Sequence, residues 1–303
     1  MRRKILIGVI LAVLLMGVAG YFTRGLFTIK VGLCLSGTDG TLRDALALAG
    51  YTVVSRNGEN DQEKQNQQVN ELLNEKVDIL VVQLIDTDAA AQILQAALEI
   101  PVIFVGNEPE ELGSGYYVGS DLSQQGAAQV RMLERFFGKA DINGDRLVDY
   151  MVISGPEEMP QSQLYLQSVA AAMDGKAVAL LEEAYCPNTA EDARKLCRDA
   201  FSKYGRDLEL ILCNSASAAQ GAVQAIEDGR RQPGKDVIIF AVGTENQLRR
   251  MVDENRITAA VVEDTSGIHN RVAWLVGALK KDEAADQKQY VDYKIYSIDG
   301  LIS

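Results

Sequence analysis

Histidine and tryptophan each occur once in the 303 residues, as His269 and Trp274, and there are only six prolines and four cysteines. A single histidine excludes a catalytic histidine pair and a histidine-rich metal site. His269 stands near the start of a helical stretch, Gly267 to Leu279, a little over one turn before Trp274, where a surface or packing role suits it. No G-x-S-x-G elbow, phosphate-cradling Walker loop or G-x-G-x-x-G fingerprint opens a helix, so hydrolase and dinucleotide chemistry have no constellation to stand on and no catalytic residue is nominated. Cys34, Cys186, Cys197 and Cys213 show no C-x-x-C spacing, which excludes a zinc ribbon or a redox motif. Cys34 and Cys213 sit in apolar strand-like runs as buried thiols. Cys186 and Cys197 could pair in an oxidising compartment, but a helix starting near Thr189 would hold them too far apart.

Positive charge is also in deficit, 30 Lys and Arg against 42 Asp and Glu, a formal charge of −12. That argues against nucleic acid or anionic lipid as a partner. The one long uncharged run is at the start: Arg2, Arg3 and Lys4 precede eighteen residues, Ile5 to Phe22, without a charge. As a helix they reach roughly 27 Å, just short of a bilayer core of about 30 Å. Residues 1–27 therefore read as an export signal peptide or an N-terminal membrane anchor. Gly17-Val18-Ala19 makes only a weak cleavage site, and no cysteine follows for lipid attachment. The rest of the chain, from about Thr28, is expected outside the cytoplasm, in the periplasm or on the outer face of the cell membrane. Without Met1 to Phe22 the chain loses three cations and no acid, so its formal charge falls from −12 to −15.

What remains is long enough for two lobes of roughly 100 to 150 residues. Apolar strand candidates Lys30–Leu35, Tyr51–Arg56, Ile79–Leu84 and Val102–Val105 alternate with helical stretches Thr41–Ala49, Asp61–Lys76 and Asp88–Leu98. The pattern restarts after Tyr116 to Asp121, with strands Asp149–Ser154, Ala177–Ala184, Glu209–Asn214, Val237–Val242 and Ala259–Glu263 and helices between them. Repeated βαβ units mean parallel sheets, an α/β fold of two Rossmann-like lobes. Such lobes bind ligands at the carboxyl ends of their strands, in loops rich in glycine and small polar groups: 36–40, 106–109, 155–160, 214–215, 243–244 and 263–264.

Asp141-Ile142-Asn143-Gly144-Asp145-Arg146-Leu147-Val148-Asp149 sets oxygen side chains at positions one, three, five and nine, with a main-chain carbonyl at seven, as at the front of an EF-hand-type calcium loop. Position twelve, where a bidentate carboxylate belongs, is Val152, so a distant carboxylate must complete the shell. Glu209, just before a strand, is the candidate. Position six is Arg146 where such loops carry glycine.

Asn60 to Gln68 (N-D-Q-E-K-Q-N-Q-Q), Pro101 to Phe104, Glu108-Pro109, Tyr116 to Asp121 and the loop Asp141 to Asp149 together resemble the galactose/glucose-binding branch of the type I periplasmic sugar-binding proteins, over roughly residues 30–300. The resemblance implies two lobes joined by a three-stranded hinge, with crossovers near Ser120, Glu263 and Tyr293. The lobes would be 28–120 with 264–292, and 121–263 with 293–303. It implies a calcium ion held by Asp141, Asn143, Asp145, the carbonyl of Leu147, Asp149 and Glu209, and a sugar cleft that closes by hinge motion. It places the ligand positions on Asp39, Asn107, Met159, Gln161, Tyr165, Ser215 and Glu263. Several of these depart from the family's polar clamp: its histidine, aspartate and arginine become Met159, Gln161 and Tyr165, its last aspartate becomes Gly243, and its stacking tryptophan falls near Pro187. The expected function is binding of an extracytoplasmic solute, a galactose- or glucose-type carbohydrate, for an ABC transporter permease or for chemotaxis. The alternative is a membrane-anchored sensor with a changed pocket that signals to a histidine kinase.

Overall fold

The protein is described as a computed structural model covering residues 28–37, 40–187 and 189–302. The expected signal or anchor, residues 1–27, lies outside the described residues. Among the described residues no helix is long and apolar enough to cross a membrane. They divide into two compact units, 28–119 with Thr265–Tyr290, and Ser120–Asp264 with Val291–Ser303. The chain passes from one to the other three times, after Gly119, Asp264 and Tyr290.

The first unit is built on β1 (Lys30–Leu35), β2 (Thr52–Asn57), β3 (Ile79–Gln83), β4 (Val102–Val105), β5 (Tyr116–Gly119) and β11 (Lys288–Tyr290), all parallel, in the order β11-β5-β4-β3-β1-β2. β1, β3 and β4 are almost wholly buried, as strands covered on both faces must be, hence their unbroken aliphatic runs. Helices α2 (Gln62–Asn74) and α3 (Ala90–Ala97) cover one face with Val69, Leu72, Ile93 and Ala97. Helix α1 (Thr41–Leu48) packs against α9 (Thr265–Lys280), where the Tyr51 hydroxyl donates to the carbonyl of Ala273 at 2.8 Å. Asp61 stops the chain before α2 and starts the helix by accepting from the Lys64 amide.

The second unit holds β6 (Val148–Ser154), β7 (Val178–Tyr185), β8 (Leu210–Cys213), β9 (Ile238–Gly243) and β10 (Ala259–Glu263), all parallel, extended by β12 (Tyr293–Ser297) antiparallel to β10 and β13 (Gly300–Ile302) antiparallel to β12. One face is covered by α4 (Gln125–Ala140) and α5 (Pro160–Met173), the other by α6 (Ala190–Tyr204), α7 (Ala216–Asp228) and α8 (Glu245–Asp253). α6 and α7 meet at Gly221, where a Cβ atom would stand 2.2 Å from the carbonyl of Ala190, so only glycine permits that approach. Cys186, Cys197 and Cys213 sit together in the core under α6 and α7, and Cys34 in that of the first unit. All four thiols are free, and burial pushes those of Cys34 and Cys197 up to about 12.

Candidate functional site

The acidic loop leaves the end of α4 and enters β6 at the amino edge of its sheet. Its carboxylates shape it. Asp141 accepts from the Gly144 amide at 2.9 Å and the Arg146 amide at 3.2 Å, Asn143 from the Asp145 amide at 2.8 Å, and Asp145 from the Leu147 amide at 2.8 Å. Gly144 and Arg146 both take left-handed backbone, φ +79° and +70°. Arg146 thus adopts the position-six conformation that glycine would adopt more easily, at a cost on the order of 1 kcal/mol.

Glu209, fully buried before β8, reaches back to this loop. Its Oε1 accepts from the amides of Ile142 and Asn143, both at 2.8 Å, and its Oε2 from that of Asp149 at 3.2 Å. Burial raises the Glu209 carboxyl above its ordinary range, and the three amides pull it partly back. Asp149 is raised as well, first by desolvation and then by Asp145 and Asp207. The donor set is all oxygen and rich in carboxylate, which fits a hard cation such as calcium. The side chains of Asp141, Asn143, Asp145 and Glu209 are engaged with main-chain amides, and among the described residues no three or more His, Cys, Asp or Glu side chains are gathered as a ready metal cage.

The expected ligand positions fall in both units. Asp39 lies outside the described residues. In the first unit Asn107 is exposed just after β4, and its Nδ2 donates to the Leu84 carbonyl at 3.0 Å. Its loop is held by the Tyr117 hydroxyl, which donates to the Gly106 carbonyl at 2.8 Å. In the second unit Met159, 49% exposed, and the exposed Gln161 stand at the start of α5 beyond the carboxyl end of β6. Ser215 is half-buried, and its hydroxyl oxygen is taken by the Ala218 amide at 3.1 Å, capping α7. Glu263 ends β10 exposed, paired in register with Tyr293.

Tyr165 is not at the loops. It is 1% exposed in the core beneath α5, and its hydroxyl donates to Gln129 Oε1 at 2.6 Å. The Gln129 amide in turn donates to the carbonyls of Cys213 and Phe240 at 2.9 and 3.0 Å, tying α4 and α5 to β8 and β9. The ring therefore offers no face to a ligand, and Tyr165 leaves the candidate set. Two further polar groups stand at strand ends: Gln83, which the sequence does not single out, and Asn214, which lies in the expected loop 214–215. Gln83, ending β3, accepts from the Ser36 amide at 3.3 Å through Oε1. Asn214, just after β8, keeps a buried Oδ1 without a partner among the described residues. For Gln83, a glutamine at the end of an apolar run was the available signal.

A model of the periplasmic binding protein domain matches residues 37–284. The galactose- and methyl-galactoside-binding periplasmic protein of Haemophilus influenzae is 26% identical over 260 residues, 81% of this chain and 77% of that protein. Among solved structures, a periplasmic ribose ABC transporter protein from Conexibacter woesei superposes with a TM-score of 0.77 at 15% identity, over 90% of this chain and 92% of its own. The fructose-binding periplasmic domain of a hybrid two-component system does so with a TM-score of 0.65 at 16% identity, over 89% and 90%. The two units with mostly parallel sheets and the match of the domain model over most of the chain lead to one conclusion: the chain belongs to the periplasmic binding protein family, has the type I fold, and is a binding protein and not an enzyme.

Proposed function

We propose that the chain binds a small carbohydrate of the galactose or glucose type outside the cytoplasm and presents it to an ABC transporter permease or a chemoreceptor. The observation that carries this reading is the domain match over residues 37–284, supported by a relative named for galactose and by fold neighbours named for ribose and fructose. Each unit offers polar groups suited to sugar hydroxyls at its strand ends: Asn107, with Asp39 from the first loop, in the first unit, and Gln161, Ser215 and Glu263 in the second. Asn214 joins them as an unsatisfied acceptor, since a buried group of this kind costs about 1–3 kcal/mol until something donates to it. Met159 gives the second unit's loop an apolar surface where a sugar's C–H face can rest.

Calcium belongs to the same reading. Asp141, Asn143, Asp145, Asp149, Glu209 and the Leu147 carbonyl would hold it, and its charge would offset the carboxylates crowded at the amino edge of the second sheet. The N-terminal segment 1–27 would export or anchor the chain.

A second reading has two observations in its favour. The fructose-binding fold neighbour is part of a two-component system, and the basic, uncharged-run pattern of residues 1–22 suits an anchor, so the chain could serve a membrane sensor that signals to a histidine kinase. A thermal-melt screen with galactose, glucose, ribose and fructose, calcium present, tests the carbohydrate assignment common to both. One sugar is expected to raise the melting temperature by several degrees. No rise with any of them would remove it.

A further inference from the structure

The amino edge of the second sheet, opposite the strand ends that carry the candidate ligand loops, holds a pocket of about 760 Å³. It lies where α6 and α7 end and the chain turns into β8 and β9, with Ile142 of the acidic loop at one side. That volume is within the range of small-molecule sites, roughly 300–1,000 Å³. Four arginines line it, Arg198, Arg206, Arg230 and Arg231.

Arg231 is set in place. Its Nη1 donates to the Gly205 carbonyl at 3.0 Å, its Nη2 to the Asp236 carbonyl at 2.6 Å, and its guanidinium lies 4.9 Å from the centre of the Phe201 ring. Burial lowers its pKa from the ordinary arginine range, Asp236 works the other way, and neighbouring Arg206 lowers it further. The other three guanidinium groups are exposed and make no ion pair among the described residues. The pocket also carries three carboxylates, Asp199, Asp228 and Asp236; among the described residues none forms an ion pair with these three arginines, although Arg198, after Arg194, helps to hold the Asp228 carboxyl below its ordinary value. Asp228 is held in a fork by Arg194, at 2.7 and 3.0 Å, and one oxygen of Asp236 accepts from the Gln232 amide at 2.7 Å.

In a chain with a formal charge of −12, a pocket with four arginines against three carboxylates, one of which is already forked by Arg194, reverses the local sign. The exposed guanidinium groups stand outside any ion pair among the described residues, and their planar fork of donors matches the oxygens of phosphate and carboxylate. We propose that this pocket is a second binding site, for a small molecule bearing oxyanion groups, separate from the carbohydrate loops. Arg231 and Phe201 would form its fixed floor, and Arg198, Arg206 and Arg230 would close on the oxyanion.

The test compares the wild-type protein with the double variant Arg198→Gln/Arg206→Gln, without sugar or calcium, by melting in about 5 mM inorganic phosphate or citrate against chloride at matched ionic strength. The wild type is expected to melt about 2 °C higher or more in at least one of the two, and the variant to show no such rise. Which anion gives the larger rise tells a phosphate ligand from a polycarboxylate. In chloride alone the variant should melt no more than about 1 °C below the wild type, because both side chains are exposed and neither forms an ion pair among the described residues. An equal rise in both proteins, a rise in neither, or a variant destabilised beyond that in chloride would overturn the proposal. Arg250→Gln, whose guanidinium is paired with Glu254 away from the pocket, should keep the wild-type response.

Discussion

Replacing Glu209 with alanine probes the acidic loop and its cation together. The fully buried carboxylate accepts three main-chain amides, at 2.8, 2.8 and 3.2 Å. A hydrogen bond to a charged acceptor is worth about 1.5–3 kcal/mol, and a donor left unpaired costs more where water cannot reach it. Ile142 and Asn143 are exposed, so their amides can turn to solvent, whereas that of Asp149 is half-buried. The expected loss is therefore about 3–5 kcal/mol without calcium, on the order of 10 °C in melting temperature for a body of this size. Calcium at about a hundred times its dissociation constant should add about 2.7 kcal/mol to the wild type and almost nothing to Glu209→Ala. Calorimetry of both proteins, with calcium and with a chelator, separates the two effects. A loss under about 1 kcal/mol in the chelator would refute the role given to the three amides. A wild type that melts alike with and without calcium would refute the cation site.

Tyr165→Phe should cost about 1–3 kcal/mol by leaving Gln129 Oε1 without its donor, and should leave sugar affinity unchanged, as titration of the variant would show. Asp78 accepts from the Lys280 ammonium and from the Lys30 amide, both at 2.8 Å, and the Lys280 bond first of all holds its pKa below the ordinary value of 3.8. A carboxyl lowered on folding stabilises the protein above its unfolded value and loses that contribution as pH falls through its folded one. Its side chain is 33% exposed, so Asp78→Asn should cost only about 0.5–1 kcal/mol near pH 7, and the two proteins should converge as pH falls below the ordinary value of 3.8 and through the lowered folded one. Thiol reagents should label none of the four buried cysteines until the protein unfolds, and all four afterwards.

The parts of the fold legible in the sequence were those whose pattern is local. β1, β4 and β10 stand where the unbroken apolar runs put them, because a strand covered on both faces needs nothing else. β11, with the residues Lys-Gln-Tyr, and β13, beginning at Gly300, carry no such run. They are strands because Tyr117 to Gly119 and Ile295 to Ser297 are there to pair with, a fact of tertiary structure. The acidic loop could be read from its spacing, and Glu209 from the need for a distant carboxylate. Tyr165 was misplaced for a different reason. Matching its position to a ligand residue ignored its own helix, where Tyr165, Val169 and Met173 repeat every four residues as one buried face. Asn214 falls in the loop that its small polar residues mark, whereas Gln83 ends an apolar run that reads as core throughout. The arginine pocket draws on residues from three separate segments, so only the fold brings them together.

Carbohydrate binding is tested most directly by titration calorimetry with the calcium-loaded protein. Galactose, glucose, ribose and fructose would be injected separately. At least one is expected to bind one to one with a dissociation constant on the order of micromolar or tighter, near −8 kcal/mol. No saturable heat from any of the four would contradict it.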